Sequence, residues 1–466
     1  MDNHDSSGIS AWAASYRRCA LHLFQAGVSA ADPSRAVKNA LRMRGSRLAI
    51  RREAADWSSN VRSEPWAKIY PVAFGKAACA MAGAAQDVIP TGLIAGRGIA
   101  VTNYENRADV ERFDVIGAGH PLPDAGGYEG ARAIADYVSQ AGGGDLVLVL
   151  VSGGGSALVP YPPEAISLED KIATTELLLA CGAEITRINC VRKHLSRIKG
   201  GGLARLAAPA AVHALILSDV PGDDLSSIAS GPTVPDPTTF ADAVDVLESS
   251  GVWDQVPPSV RQHLSAGCAG ERDETPKPGD PIFRNVETTL VGSNRLSVDA
   301  VMRAAESEGF ETTLYDDALC GEAREEAAKL VSRVEQEMRN QKSGRPAALV
   351  AGGETTVTLK GGGKGGRNQE MALAFVLAAE RRQLDRRWVF LSAGTDGRDG
   401  PTDVAGGVVD PWTLERMIQA GIEPENRLAD NDSYSALQKS NDLVETGATG
   451  TNVADLQVVL IHPDCS

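Results

Sequence analysis

Short β-branched runs alternate with longer segments of helical spacing along nearly the whole chain. KIYPVAFG (68–75), RGIAVT (97–102), DLVLVLV (145–151) and HALILSD (213–219) predict strands. Near-continuous apolar runs such as LVLVLV predict strands covered on both faces. AACAMAGAAQDVI and YEGARAIADYVSQA carry a helical pattern between them. The alternation predicts an α/β chain layered around a mostly parallel sheet.

CAGERDETPKPGDPIFRN (268–285) is charged and proline-rich with little periodicity, which predicts a linker. Beyond it the alternation resumes. ETTLVGS, a helix from about 295, ETTLYDD, a helix from 321, AALVAGG, TTVTLK, a glycine cluster, a helix and RWVFLSAG follow. A short helix near SYSALQKS and a last strand, DLQVVLI, close the chain. Two α/β domains, 8–280 and 281–462, are the economical reading of 466 residues.

Composition narrows the function classes. Apolar content of 43% and 23% charged residues suit a soluble globular protein. A net charge of −15, with no basic run, argues against nucleic acid and anionic membranes as partners. Seven scattered cysteines, never spaced CxxC, predict free thiols in a reducing compartment. MDNHDSSGIS has no basic and apolar signal pattern, and no apolar run approaches membrane-spanning length. The expected location is cytoplasmic.

Candidate chemistry gathers at predicted strand ends and helix starts, where open α/β sheets place ligands. GGGKGGRNQE (361–370) crowds five glycines, a lysine and an arginine into seven positions ahead of a Leu/Ala-rich helix. Bare backbone and cations at a helix mouth predict an anion, with a flexible loop as the alternative. Ser152-Gly153-Gly154-Gly155-Ser156 follows a buried strand and could cradle phosphate oxygens, or be a tight structural turn. Lys76 stands at a helix start, where it opposes the helix dipole unless an anion is bound. KHLSRIKGGGLARL supplies Lys193, Arg197 and Lys199; LSDVPGDDLSSIASGPT supplies Asp219, Asp223, Asp224 and Gly231. Asp396, Asp399 and Asp403 lie in a Gly/Pro-rich loop, as general base, metal ligands or solvated turn acids.

Gly361-x-Gly363-x-x-Gly366 formally matches a dinucleotide fingerprint. Asp396 holds the place of its acid but stands 35 residues beyond Gly361, too far for the usual spacing of about 20. No kinase HRD or DFG set, GxSxG elbow or HExxH is present, and histidines are few. Glycine-lined loops carrying Lys, Arg and Asp suit phosphoryl transfer, where catalysis is positioning and charge neutralisation.

Together, FGKA, VSGGGSAL, KHLSRIKGGGLA, SDVPGDDLSSIASGPT, AGGETTVTLKGGGKGGRNQE and SAGTDGRDGPTD resemble the type 2 glycerate kinases, whose C-terminal half is the MOFRL domain. The resemblance runs from about residue 10 to 461. It implies a Rossmann-like N-terminal domain, an active site in the interdomain cleft, and ATP-dependent phosphorylation of the 2-hydroxyl of D-glycerate with Mg²⁺ or another divalent cation. It also implies active-site roles for Lys76 and Arg367. Asp396 is the preferred proton acceptor, and Asp219 and Asp396 are the metal candidates. Ser152, Gly153, Gly154, Gly155, Ser156, Lys199, Gly231, Asn294, Glu354, Gly363, Gly365, Gly366 and Asn368 complete the nucleotide and substrate set. D-glycerate is the expected small-molecule partner, and homo-oligomerisation stays open. NAD(P)H-dependent hydroxypyruvate reduction is the alternative activity, and a non-catalytic sensor of glycerate or nucleotide is a third.

Overall fold

The computed structural model describes residues 11–52, 57, 60–341 and 344–463. The first ten residues and Cys465 lie outside them. The described residues form two compact units, Pro33–Val291 and the residues up to Asp32 together with those from Gly292 onward.

The larger unit is built on six strands: β1 (Ile69–Phe74), β2 (Gly98–Asn103), β3 (Phe113–Ala118), β4 (Leu146–Val151), β5 (Ala211–Leu217) and β6 (Val286–Gly292). Their order is β3-β2-β1-β4-β5-β6, the order of a Rossmann sheet, and β1 to β5 pair in parallel. LVLVLV is buried at every position because helices cover both faces. Val72, Phe74, Val101, Val147 and Val149 pack there with Ile134 and Leu203 from the helices Ala125–Val138 and Gly202–Ala207. Order reverses between β1 and β4, which creates a switch point at their carboxyl ends.

The second unit carries β7 (Glu311–Leu319), β8 (Ala347–Gly353), β9 (Trp388–Gly394), β10 (Gly406–Val409), β11 (Leu443–Val444) and β12 (Asp455–Ile461) in the order β7-β8-β12-β9-β10-β11. Only β7 and β8 are parallel, joined through the helix Ala323–Asn340. The helix Arg367–Arg381 is buried continuously from Asn368 to Leu377, which explains why its sequence is apolar nearly all round.

Three expectations shift. Residues 268–285 do not join two domains but are pinned inside the larger unit. Asp236 N–H donates to the Pro276 carbonyl at 2.8 Å, and Thr275 Oγ1 donates to Asp236 at 3.0 Å. The chain then adds β6 to the sheet, so the unit ends at Val291 rather than near 280. The helix Ala11–Ala30 joins the second unit, because Leu23, Phe24 and Val28 share a core with Val301, Leu391 and Val458. TTVTLK is not a strand: β8 already has β7 and β12 on its two sides, and only Thr356 makes an isolated bridge, to Glu322.

Ion pairs also hold the N-terminal helix. Arg17 lies 2.7 Å from both Asp410 and Asp442, and Arg416 reaches the same carboxylates at 3.0 and 2.6 Å. Arg17→Met leaves one cation for two buried acids, and breaking such a pair costs about 3–5 kcal/mol. Hydrogen exchange should quicken across 11–30 and around 410 and 442 while Pro33–Val291 keeps its protection. Unchanged exchange in 11–30 would refute the role given to Arg17.

Candidate active site

The turns that follow β1 and β4 interlock. Lys76 N–H donates to the Gly153 carbonyl at 2.9 Å, Ser152 N–H to Phe74 at 3.1 Å, and Ala77 N–H to Ser152 Oγ at 3.0 Å. Gly75 is required twice over: its φ is +125°, and a Cβ there would lie 2.2 Å from Ser152 Oγ. Half-buried Lys76 comes next, and no hydrogen bond or ion pair holds its ammonium among the described residues.

Two titratable groups flank this lysine. Asp219, just past β5, lies against Gly153, where a Cβ would approach its Oδ2 to 2.0 Å. Burial pushes the Asp219 pKa above the usual carboxylate range, while a backbone amide and Lys76 pull against it. His120 adjoins Gly154, and burial, then the Lys76 charge, hold its imidazole below the ordinary value. Such an imidazole is neutral at pH 7.

The 152–156 turn is supported from beneath. Lys199 is 1% exposed, and its amine donates to the Ser156 carbonyl at 3.0 Å. Ser156 and Ser230 hydroxyls meet at 2.9 Å, and Ser230 donates to Asn189 at 3.1 Å. Ala229 and Ser230 adopt left-handed φ values of 49° and 59°, strain that persists only where surrounding bonds over-determine it. Those bonds run from Gly200 N–H to Ser230 and from Gly201 N–H to the Gly231 carbonyl. Lys199 and Gly231 therefore meet the chain's own groups at the underside of the turn.

The second unit gathers its candidates at the carboxyl ends of β8 and β9 and the start of β12. Arg367 opens its helix and forks onto Asp455, Nε to Oδ2 at 2.6 Å and Nη2 to Oδ1 at 2.9 Å. Its Nη1 meets Glu354 at 2.8 Å. Burial opposes this charge, yet Asp455, Glu354 and Asp399 together hold the pKa above the ordinary arginine value. The guanidinium fork expected to face a ligand is thus turned to a carboxylate of the protein. Asn368 is buried between Asp399 and Ser392. Asn294 donates to the Val453 and Asp455 carbonyls, both at 2.8 Å. Asp396 accepts the Arg398 N–H at 2.9 Å, a turn contact that leaves its other oxygen available.

The glycine cluster answers mostly to the protein itself. Asn431 Oδ1 accepts Lys360 N–H at 2.8 Å and Gly361 N–H at 3.0 Å; Asp430 takes Gly362 and Gly363, and Asp432 takes Lys364. A Cβ on Gly363 would lie 2.4 Å from that of Asp432, and one on Gly365 2.2 Å from Ser433 Oγ. The glycines permit this close packing, so most of the amides predicted to meet an anion are occupied. Asp399 then takes the first free amides of the helix, Asn368 at 3.1 Å and Gln369 at 2.8 Å. Burial lifts its pKa to about 6 against those amides.

Lys76, Ser152–Ser156, Lys199, Asp219 and Gly231 are therefore brought together in the larger unit, and Asn294, Glu354, Gly363–Asn368 and Asp396 in the second. Sequence reasoning passed over His120, Lys171 and Arg192 in the first and Asp455 in the second. Arg192 adjoins Lys193 in a stretch already singled out, and Asp455 immediately precedes an apolar terminal strand. Neither position has a spacing that marks chemistry. Among the described residues no cluster of three His, Cys, Asp or Glu could hold a metal.

Comparison with known proteins adds an independent line. The family described as "Domain of unknown function (DUF4147)" matches residues 19–265, and the MOFRL family matches 347–455. Glycerate 2-kinase from Pyrococcus horikoshii is 42% identical over 96% of this chain and 97% of its own. A putative hydroxypyruvate reductase from Agrobacterium vitis is 40% identical over 96% and 95%. The crystal structure of glycerate kinase from Thermotoga maritima superposes with a TM-score of 0.83 at 39% identity, covering 96% of this chain and 99% of that one.

Two outcomes test the site. Gly153→Ala forces a methyl into Asp219, so activity should fall at least about 100-fold in a protein whose melting temperature drops only modestly; full activity would refute the packing role. Asp399 binds its proton more tightly folded than unfolded, so its stabilising share is full below pH 3.8 and is lost as pH rises through about 6. Between pH 4 and 7 the wild type should lose on the order of 3 kcal/mol relative to Asp399→Asn. Parallel pH profiles in calorimetry would contradict this.

Proposed function

Because this chain belongs to the glycerate 2-kinase family, we propose that it transfers the γ-phosphoryl group of ATP to the 2-hydroxyl of D-glycerate, giving 2-phosphoglycerate and ADP. One observation carries the choice over hydride transfer. The turn after β1 of a Rossmann sheet holds three glycines where a dinucleotide's pyrophosphate lies on it. Here that turn reads Gly75-Lys76-Ala77-Ala78-Cys79-Ala80, with alanines where the second and third glycines would stand and a lysine between the first two positions. The formal GxGxxG at 361–366 sits in the other unit, and its loop amides are largely taken by Asp430, Asn431 and Asp432.

Lys76 neutralises charge on the transferring phosphoryl, where an ammonium serves as a point charge beside the 152–156 turn. Asp219 accepts the proton of the attacking hydroxyl. Its carboxylate lies against that turn with a raised pKa, whereas Asp396 is engaged in a turn contact, so the structure favours Asp219 over the acceptor expected from sequence. Magnesium bound to a nucleotide usually needs only one or two protein carboxylates. With Asp219 taken as the proton acceptor, Asp396, which keeps one carboxylate oxygen available, is the metal candidate of the second unit. The ion would supply charge neutralisation on the β- and γ-phosphates. Arg367 contributes its remaining N–H donors, since three of five already meet Asp455 and Glu354. The enzyme so drawn is cytoplasmic.

The direct test is D-glycerate with ATP and Mg²⁺, the product's phosphate position read by NMR. NAD(P)H-dependent reduction of hydroxypyruvate without ADP formation would overturn the assignment. Lys76→Ala should lower kcat by on the order of 10³-fold. Arg367→Lys keeps the charge but not the fork, so kcat should fall by a similar factor with KM for glycerate little changed. A rise in KM alone would instead place Arg367 on the ground-state carboxylate. The acidic limb of kcat/KM should lie above the ordinary carboxylate range because ionised Asp219 is the active form, and Asp219→Asn should lose that limb with the activity.

A further inference from the structure

A cavity of about 230 Å³ opens beside the 152–156 turn, lined on one side by Gly154, Ser156 and Ala157 and on the other by the helix Leu168–Ala180. Its walls are apolar: Pro121, Leu122, Ile172 and Leu179. Leu122 and Leu179 are 59% and 55% exposed, among the few large apolar side chains the surface leaves in water. Lys171 and Arg192 also line it. Lys171 donates to the Leu195 carbonyl at 2.7 Å, and the half-buried Arg192 guanidinium has no hydrogen-bond or ion-pair partner among the described residues. Lys199 lies close enough to feel both charges. Among the described residues no carboxylate pairs with any of the three; Glu176, the one acid on the lining, is solvent-exposed.

Three basic groups held together without a counter-charge disfavour one another's protonation, and burial adds to the effect. Burial, then Arg192, push Lys171 down to about 7. A polyanion offsets that effect, while the apolar walls need an apolar ligand part to cover them. A three-carbon hydroxy acid has none. A purine nucleotide has both, a flat apolar base and a triphosphate tail.

Resting on the kinase reading, we propose that this cavity is the nucleotide subsite, with adenine against Leu122 and Leu179 and the phosphates running past Arg192 toward Ser152–Ser156 and Lys76. Lys171, on the lining, and Lys199, which holds the Ser156 carbonyl, then act as positioning residues.

The test uses the full-length protein and calorimetric titration with a non-hydrolysable ATP analogue and, separately, with inorganic tripolyphosphate. Leu179→Ser, on an exposed side chain that leaves folding intact, should weaken the analogue about 10-fold without changing tripolyphosphate binding. Arg192→Met, which keeps the apolar stem, should weaken both about 10- to 100-fold. In steady-state assays both variants should raise KM for ATP and leave KM for D-glycerate within about twofold. A wild type that neither binds the analogue nor phosphorylates glycerate defeats the kinase reading itself. A wild-type kinase whose two variants keep normal ATP affinity overturns the subsite alone, as does a change confined to KM for glycerate.

Discussion

The close approach of two turns at the switch point is the contact on which the larger unit's chemistry depends. Phe74 and Val151 are in register at the carboxyl ends of β1 and β4, so residues 75 and 152 leave the sheet side by side. Only a residue without Cβ fits opposite Ser152, and the reciprocal bonds from Lys76 to Gly153 and from Ser152 to Phe74 then set both turns at once. Lys76, Ser152–Ser156 and, through Gly153, Asp219 take their places from this one junction. Lys199 secures it from below by holding the Ser156 carbonyl, while burial and then the nearby Lys171 and Arg192 hold its amine well below the ordinary lysine range.

Glycine does different work in the two units. At residues 75 and 153 it lets one loop lie against another at the place where a ligand is proposed to bind. At 361–366 it lets the loop lie along Asp430–Ser433, with backbone amides spent on Asn431 and its neighbouring acids. The same segment is tied to the helix behind it, since Asn431 donates to Glu370, which also receives Arg324. Loop, helix start and Asp399 cap therefore form one rigid piece, and Arg367 is held at its edge by Asp455.

Charge follows a similar division. With a net charge of −15, the chain offers an anion no long-range attraction. Most arginines and lysines with chemical promise are spent on the protein's own carboxylates, as Arg17, Arg324, Arg367 and Arg416 show. Among the described residues Lys76 and Arg192 are left without an acid, and both lie beside the 152–156 turn. Local desolvation, rather than the overall field, is what makes that spot receptive.

The alternation of apolar runs and helical spacing was enough to determine an α/β chain, and motifs such as FGKA and VSGGGSAL marked positions 76 and 152–156, because strand-end loops are local in sequence. The partner of Arg367 was not legible. Asp455 lies 88 residues away and meets it only because β12 runs antiparallel beside β8, which brings its first residue to the end where that strand finishes. The assignment of the first helix to the second unit, and of 286–292 to the first sheet, likewise depends on which cores were left to cover. Whether a glycine amide faces a ligand or another loop is decided the same way. Local sequence sets what a turn can do; only the chain packed against it decides which of its groups remain free.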